Sequence, residues 1–111
     1  MAYSDQDHIE SLQKLVDEAP DDYPIHIRLD GALAVQKRFP EIIRMWDAYI
    51  ERHPDDARAY YERGGARKHA KRADASDDLV RACELGMAEA CNVVERFGLK
   101  KTPSTDHPEA P

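Results

Sequence analysis

Ala57–Gly86 reads ARAYYERGGARKHAKRADASDDLVRACELG, and its apolar residues recur at helical intervals. Ala59, Tyr60 and Ala66 mark a first run, and Ala75, Leu79, Ala82 and Leu85 a second. The short loop Lys71–Ala73 separates them. Gly86 suits the position just past a helix end, where the backbone turns left-handed. Gly64 and Gly65 fall inside the first run, where the lack of a side chain lets two helices approach closely. The stretch therefore reads as a helix hairpin. Two such short helices cannot bury their apolar faces alone, so neighbouring elements must cover them.

Upstream, His53-Pro54-Asp55-Asp56 is a turn, with Asp55 or Asp56 placed to cap the helix that follows. Before it, Ile42, Ile43, Met45, Trp46, Tyr49 and Ile50 predict a helix over Pro40–Arg52. Pro40 disfavours helix at Phe39 and so sets a break. Another helix opens near Pro24 and carries Ile25, Ile27, Leu29, Ala32, Leu33 and Val35 as far as about Arg38. The first helix starts at Ser4, with Asp7 completing its cap. Its stripe is Ile9, Leu12, Leu15, Val16 and Ala19, and Pro20 stops it. Downstream, a sixth helix spans Met87–Phe97 with Ala90, Cys91, Val94 and Phe97 inward, and Gly98 ends it. Strand-like alternation is absent from the pattern. The predicted fold class is all-α, about six helices in stacked antiparallel hairpins.

The 111 residues fit one small domain, expected over 1–98, with 99–111 a flexible tail. Apolar residues make up 41% and charged ones 34%, which excludes collagen-like and low-complexity chains. No apolar run approaches the roughly 20 residues that span a bilayer, so no membrane role is expected. Met1 precedes a polar, acidic stretch rather than an apolar leader. A cytoplasmic location is the expectation, with a periplasmic or secreted one if a leader was removed and the cysteines are bridged.

Charge is unevenly distributed. Residues 1–22 hold seven acids and one base, whereas residues 58–72 hold one acid and six bases. The chain as a whole has net charge −6, a poor balance for general nucleic-acid binding. The basic segment can still face a local acidic ligand.

Signals for chemistry are weak. None of the five histidines pairs with another His or Cys at a metal-ligand spacing. His26 lies in an apolar helix, as a core or groove residue. No Gly-x-Ser-x-Gly elbow or glycine-rich phosphate loop is present. The acids fall on polar faces. The expectation is no enzyme, no cofactor and no metal. His53-Pro54-Asp55 equals the tripeptide that marks J-domain co-chaperones, but the helix before it is not basic.

Tyr23 and Ala57 lie 34 residues apart, the tetratricopeptide period. Leu29, Leu33, Phe39, Ile42, Trp46 and Pro54 in the first unit fall at that family's signature places, as do Tyr60, Gly64, Ala75, Leu79, Ala82 and Leu85 in the second. Residues 23–86 thus resemble a tetratricopeptide (TPR-like) repeat, with repeat 1 over 23–54 and repeat 2 over 57–86. The resemblance implies a right-handed α-solenoid fragment, with 4–19 and 87–98 as capping helices. Asp30 stands where a small residue is usual, Arg63 where an apolar one is, and Arg67 where an aromatic one is.

Ala82-Cys83-Glu84-Leu85-Gly86-Met87-Ala88-Glu89-Ala90-Cys91 resembles the cysteine-bearing hairpin of Sel1-like repeat proteins. That resemblance implies a bridge between Cys83 and Cys91. Two buried free thiols are the other reading. The spacing does not suit zinc.

The repeat resemblance implies a concave face lined by the first helix of each pair. It places Ile27, Arg28, Gly31, Ala34 and Val35 there from one helix, and Arg58, Tyr61, Glu62, Gly65, Lys68 and His69 from the next, flanked by Arg72. The expected function is a non-catalytic interaction module that holds a protein or peptide, an acidic one lying over Tyr61 near Arg58 and Lys68. The alternative is a small inhibitory protein of the immunity type that occludes a toxin or enzyme. A monomer or weak homodimer is expected.

Overall fold

A computed structural model describes residues 4–101. Among the described residues there are six helices and no strand: α1 Asp5–Glu18, α2 Tyr23–Val35, α3 Phe39–Arg52, α4 Ala57–His69, α5 Ala75–Glu84 and α6 Ala88–Phe97. Consecutive helices pack as antiparallel hairpins stacked in chain order.

Local chemistry explains where the helices begin. Ser4 Oγ accepts the Asp7 N–H at 3.0 Å, and Asp7 accepts the Ser4 N–H at 3.4 Å, closing a capping box on α1. Asp22 accepts the Ile25 N–H at 3.1 Å on α2, and Asp56 accepts the Arg58 N–H at 3.1 Å on α4.

The ends follow a second rule. α2, α4, α5 and α6 all stop at a residue with positive φ, namely Lys37, Lys71, Gly86 and Gly98. At each, the next N–H reaches back to a carbonyl of the last turn, as Arg38 does to Leu33 and Arg72 to Arg67. Gly86 and Gly98 were legible as stops. Lys37 was not, and α2 ends at Val35, three residues before the expected Arg38.

The main core runs through α1–α4. Trp46, Leu12, Leu29, Leu33 and Ile42 are its largest fully buried side chains. His26 is also buried, at 2% exposure, with its ring 4.8 Å from Tyr49 and 5.7 Å from Trp46. Its Nδ1 lies 2.7 Å from the Asp22 carbonyl oxygen, so the ring is a core element tied to the start of its own helix.

Around α5 and α6 the buried apolar residues are smaller: Ala75, Leu79, Ala82 and Ala90. Two other devices hold this end. Cys83 and Cys91 form a disulfide that joins α5 to α6 across the Gly86 turn. Asp78, only 2% exposed, accepts from Arg63 at 2.8 and 3.0 Å and from Arg67 at 3.0 Å. Gly64 is needed there, because a Cβ would lie 3.1 Å from the Asp78 Cβ and 3.3 Å from the Ala75 carbonyl oxygen.

Two apolar expectations are corrected. Leu15 is 39% exposed on the edge of α1, and Phe97 is 63% exposed at the last turn of α6, where no later helix among the described residues covers it. The first residues of the stretch expected as a flexible tail lie against α5 and α6. Leu99 is half-buried, Ser76 donates to the Lys100 carbonyl at 3.0 Å, and Lys101 lies 3.2 Å from Glu84. Residues 102–111 lie outside the described residues.

Candidate functional site

The helices alternate between two layers. Residues of α1 and α3 share a cleft, and Arg63 of α4 reaches Asp47 of α3 and Asp78 of α5. On the other side, α2 and α4 meet: the Arg58 guanidinium lies 3.9 Å from the centre of the Tyr23 ring. α2 and α4 therefore share one face, with α6 beside α4 across a second cleft, and Glu62, Gly65, Lys68 and His69 of α4 lie along it, whereas Ile27 and Arg28 of α2 do not.

Between α2 and α4 runs a cleft of about 190 Å³, with Phe39 and Ile42 of α3 at its floor. Asp30 of α2 and Glu62 of α4 stand in its walls. Asp30 accepts the indole N–H of the fully buried Trp46 at 2.7 Å. Burial pushes the Asp30 carboxyl above its ordinary value, while the Trp46 N–H pulls it back. Glu62 is half-buried and accepts no hydrogen bond or ion pair among the described residues. Burial raises its pKa, and the nearby charge of Asp30 raises it further. Gly65 leaves space beside them, since a Cβ there would meet nothing within 4 Å. His69 closes one end by stacking on Phe39, ring centroids 5.1 Å apart.

A second cleft, of about 400 Å³, lies between α4 and α6 over α5. Its apolar wall is Leu79, Val93, Phe97 and Leu99, with Lys68 and Arg72 at the rim. Arg72 is committed to Asp74 at 2.7 Å. The Lys68 ammonium has no ion-pair partner among the described residues.

The nine expected binding residues are thus divided. Glu62, Gly65 and His69 enter the first cleft, and Lys68 and Arg72 the second. Tyr61 is half-buried on α4 and lines neither. Arg58 is occupied by Asp56 at 2.9 Å and by the Tyr23 ring. Ile27 and Arg28 stand apart, in a groove that α2 forms with α1. Burial also pushes the Tyr23 hydroxyl up to about 12, so this ring stays neutral beside Arg58.

Sequence reasoning placed the acids on polar faces and so missed Asp30 and Asp78. The available signal was positional: charged residues stood at Asp30, Arg63 and Arg67, where the repeat pattern wants small, apolar or aromatic ones. Each is accounted for, Asp30 by Trp46 and the two arginines by Asp78.

No protein-family model and no curated protein sequence matches this chain. Among the described residues, no helix is long and apolar enough to cross a membrane, and no group of three or more His, Cys, Asp or Glu side chains is placed to hold a metal ion.

Proposed function

We propose that this chain is a non-catalytic docking module whose α2–α4–α6 face holds a segment of another polypeptide. The observation that carries the reading is Glu62. A half-buried carboxylate beside Asp30, with no donor of its own, is a costly arrangement that a cationic group would relieve. A lysine or arginine of the partner fits that place. In the adjoining cleft an apolar side chain fits against Leu79, Val93 and Phe97, and an acidic group fits Lys68. The expectation of an acidic ligand is retained for the Lys68 end and replaced by a basic one at Glu62.

The 34-residue period, the two alternating layers and the cysteine hairpin support a TPR-like repeat with a Sel1-like C-terminal end. The Cys83–Cys91 bridge supports an oxidising compartment.

Selection of a displayed peptide library tests the proposal. Enriched peptides carry Lys or Arg at a fixed distance from an apolar residue. Their affinity falls at least about tenfold, or about 1.4 kcal/mol, for Glu62→Gln. A selection that enriches nothing, or peptides that bind Glu62→Gln and Lys68→Glu as tightly as the wild type, removes the reading.

A further inference from the structure

We propose that the outer side of α2 is a second interaction surface, distinct from the docking face, and that its occupant is α2 of a second copy of this chain. Ile27, Gly31 and Val35 stand four residues apart and so share one stripe of the helix. Val35 is 80% exposed, the most exposed large apolar side chain among the described residues. Nothing lies within 4 Å of a Cβ placed at Gly31. The stripe opens on a groove of about 450 Å³ whose other wall is Asp5, His8 and Ile9 of α1. α2 therefore presents an open apolar stripe on the side away from α4.

Symmetry and charge select the occupant. The stripe carries an apolar β-branched residue four positions to either side of Gly31. A two-fold axis there would run two α2 helices antiparallel and set Ile27 of each against Val35 of the other. The same operation pairs charges. α1 is antiparallel to α2, which puts its start beside the end of α2, as the 2.9 Å bond from Arg38 to Gln6 shows. An antiparallel second α2 brings its N-terminal half, with Arg28, to that corner, where Asp5 stands. Neither Asp5 nor Arg28 has an ion-pair partner among the described residues. The contact is one helix pair, so the dimer is weak and exchanges rapidly. It does not depend on the docking reading, because Glu62 and Lys68 lie on other surfaces.

Sedimentation over a concentration series tests it, together with crosslinking. The wild type rises from the 12.6 kDa monomer towards twice that mass. Val35→Asp stays monomeric. Asp5→Arg or Arg28→Asp alone weakens self-association by about tenfold at low salt, and the two together restore it. Gly31→Cys on the axis forms a reductant-sensitive dimer faster than Glu89→Cys on α6, and the native cysteines, already bonded, do not interfere. A wild type that stays monomeric throughout overturns the proposal. So does a Val35→Asp variant that dimerises as well as the wild type, or equal crosslinking at the two cysteine positions. An α2 stripe that captures a different protein while the chain itself stays monomeric also overturns it.

Discussion

Arg63 grips the buried Asp78 through two hydrogen bonds, 2.8 and 3.0 Å, while reaching out to Asp47 at 2.8 Å. One side chain thereby ties α3, α4 and α5 together at the point where the apolar core thins. Removing Asp78 alone leaves the Arg63 and Arg67 charges together without their shared partner. Asp78→Ala is expected to cost about 3–5 kcal/mol, measured by urea unfolding followed by circular dichroism. Replacing Asp78, Arg63 and Arg67 together with apolar residues should cost much less, since no unpaired charge stays behind.

The disulfide supports the same end of the molecule. It closes a short loop across the Gly86 turn. Its loss in a Cys83→Ser/Cys91→Ser variant should lower stability by about 2–3 kcal/mol on a loop-entropy basis. The checks are a fall in the unfolding midpoint and the absence of free thiols in unreduced wild type.

Lys37 and Lys71 hold left-handed backbone, φ 57° and 60°, at the two left-handed helix ends that lack a glycine. Lys71→Gly should therefore stabilise the protein by about 0.5–1 kcal/mol, because glycine adopts that geometry without a Cβ penalty. A rise in melting temperature checks it. A loss of stability would show that the Lys71 side chain contributes more than its backbone costs.

The two kinds of acid respond to pH in opposite ways. Hydrogen bonds from Arg52 and then His53 hold the Asp21 carboxyl down at about 2, against 3.8. Its contribution is present above pH 3.8 and is lost as pH falls towards 2. Glu62 is shifted upward from 4.5, so the folded state binds its proton more tightly and stability declines as pH rises past that value. Glu62→Gln should be more stable than the wild type at pH 7, with the difference vanishing near pH 4 in a series of urea titrations.

Much of the fold was legible because its punctuation is local. Pro20, Pro54, Gly86 and Gly98 mark breaks that can be read in order, and Trp46 and Leu29 declare the core by their spacing. Phe39, expected to be non-helical before Pro40, is instead the first residue of α3, where proline at the second position costs no hydrogen bond. What was not legible depends on distant partners. Asp30 looks like a misfit until Trp46, sixteen residues later, supplies an indole N–H. Asp78 looks like a surface acid until Arg63 and Arg67 come round from α4. Phe97 looks inward by period and is exposed because no later helix among the described residues covers it. The candidate face was found through the repeat, but its division into an acidic cleft and an apolar, cationic one appears only when α6 is placed beside α4.

The most direct test of the docking face is a nuclear magnetic resonance titration of the labelled protein with a selected peptide bearing a basic residue. The account predicts that the amide signals of Glu62, Gly65 and Lys68 move together and saturably, and that Glu62→Gln abolishes the movement. Shifts confined to the opposite layer, at Arg44, Ala48 and Arg52 of α3, with Glu62 silent, would contradict it.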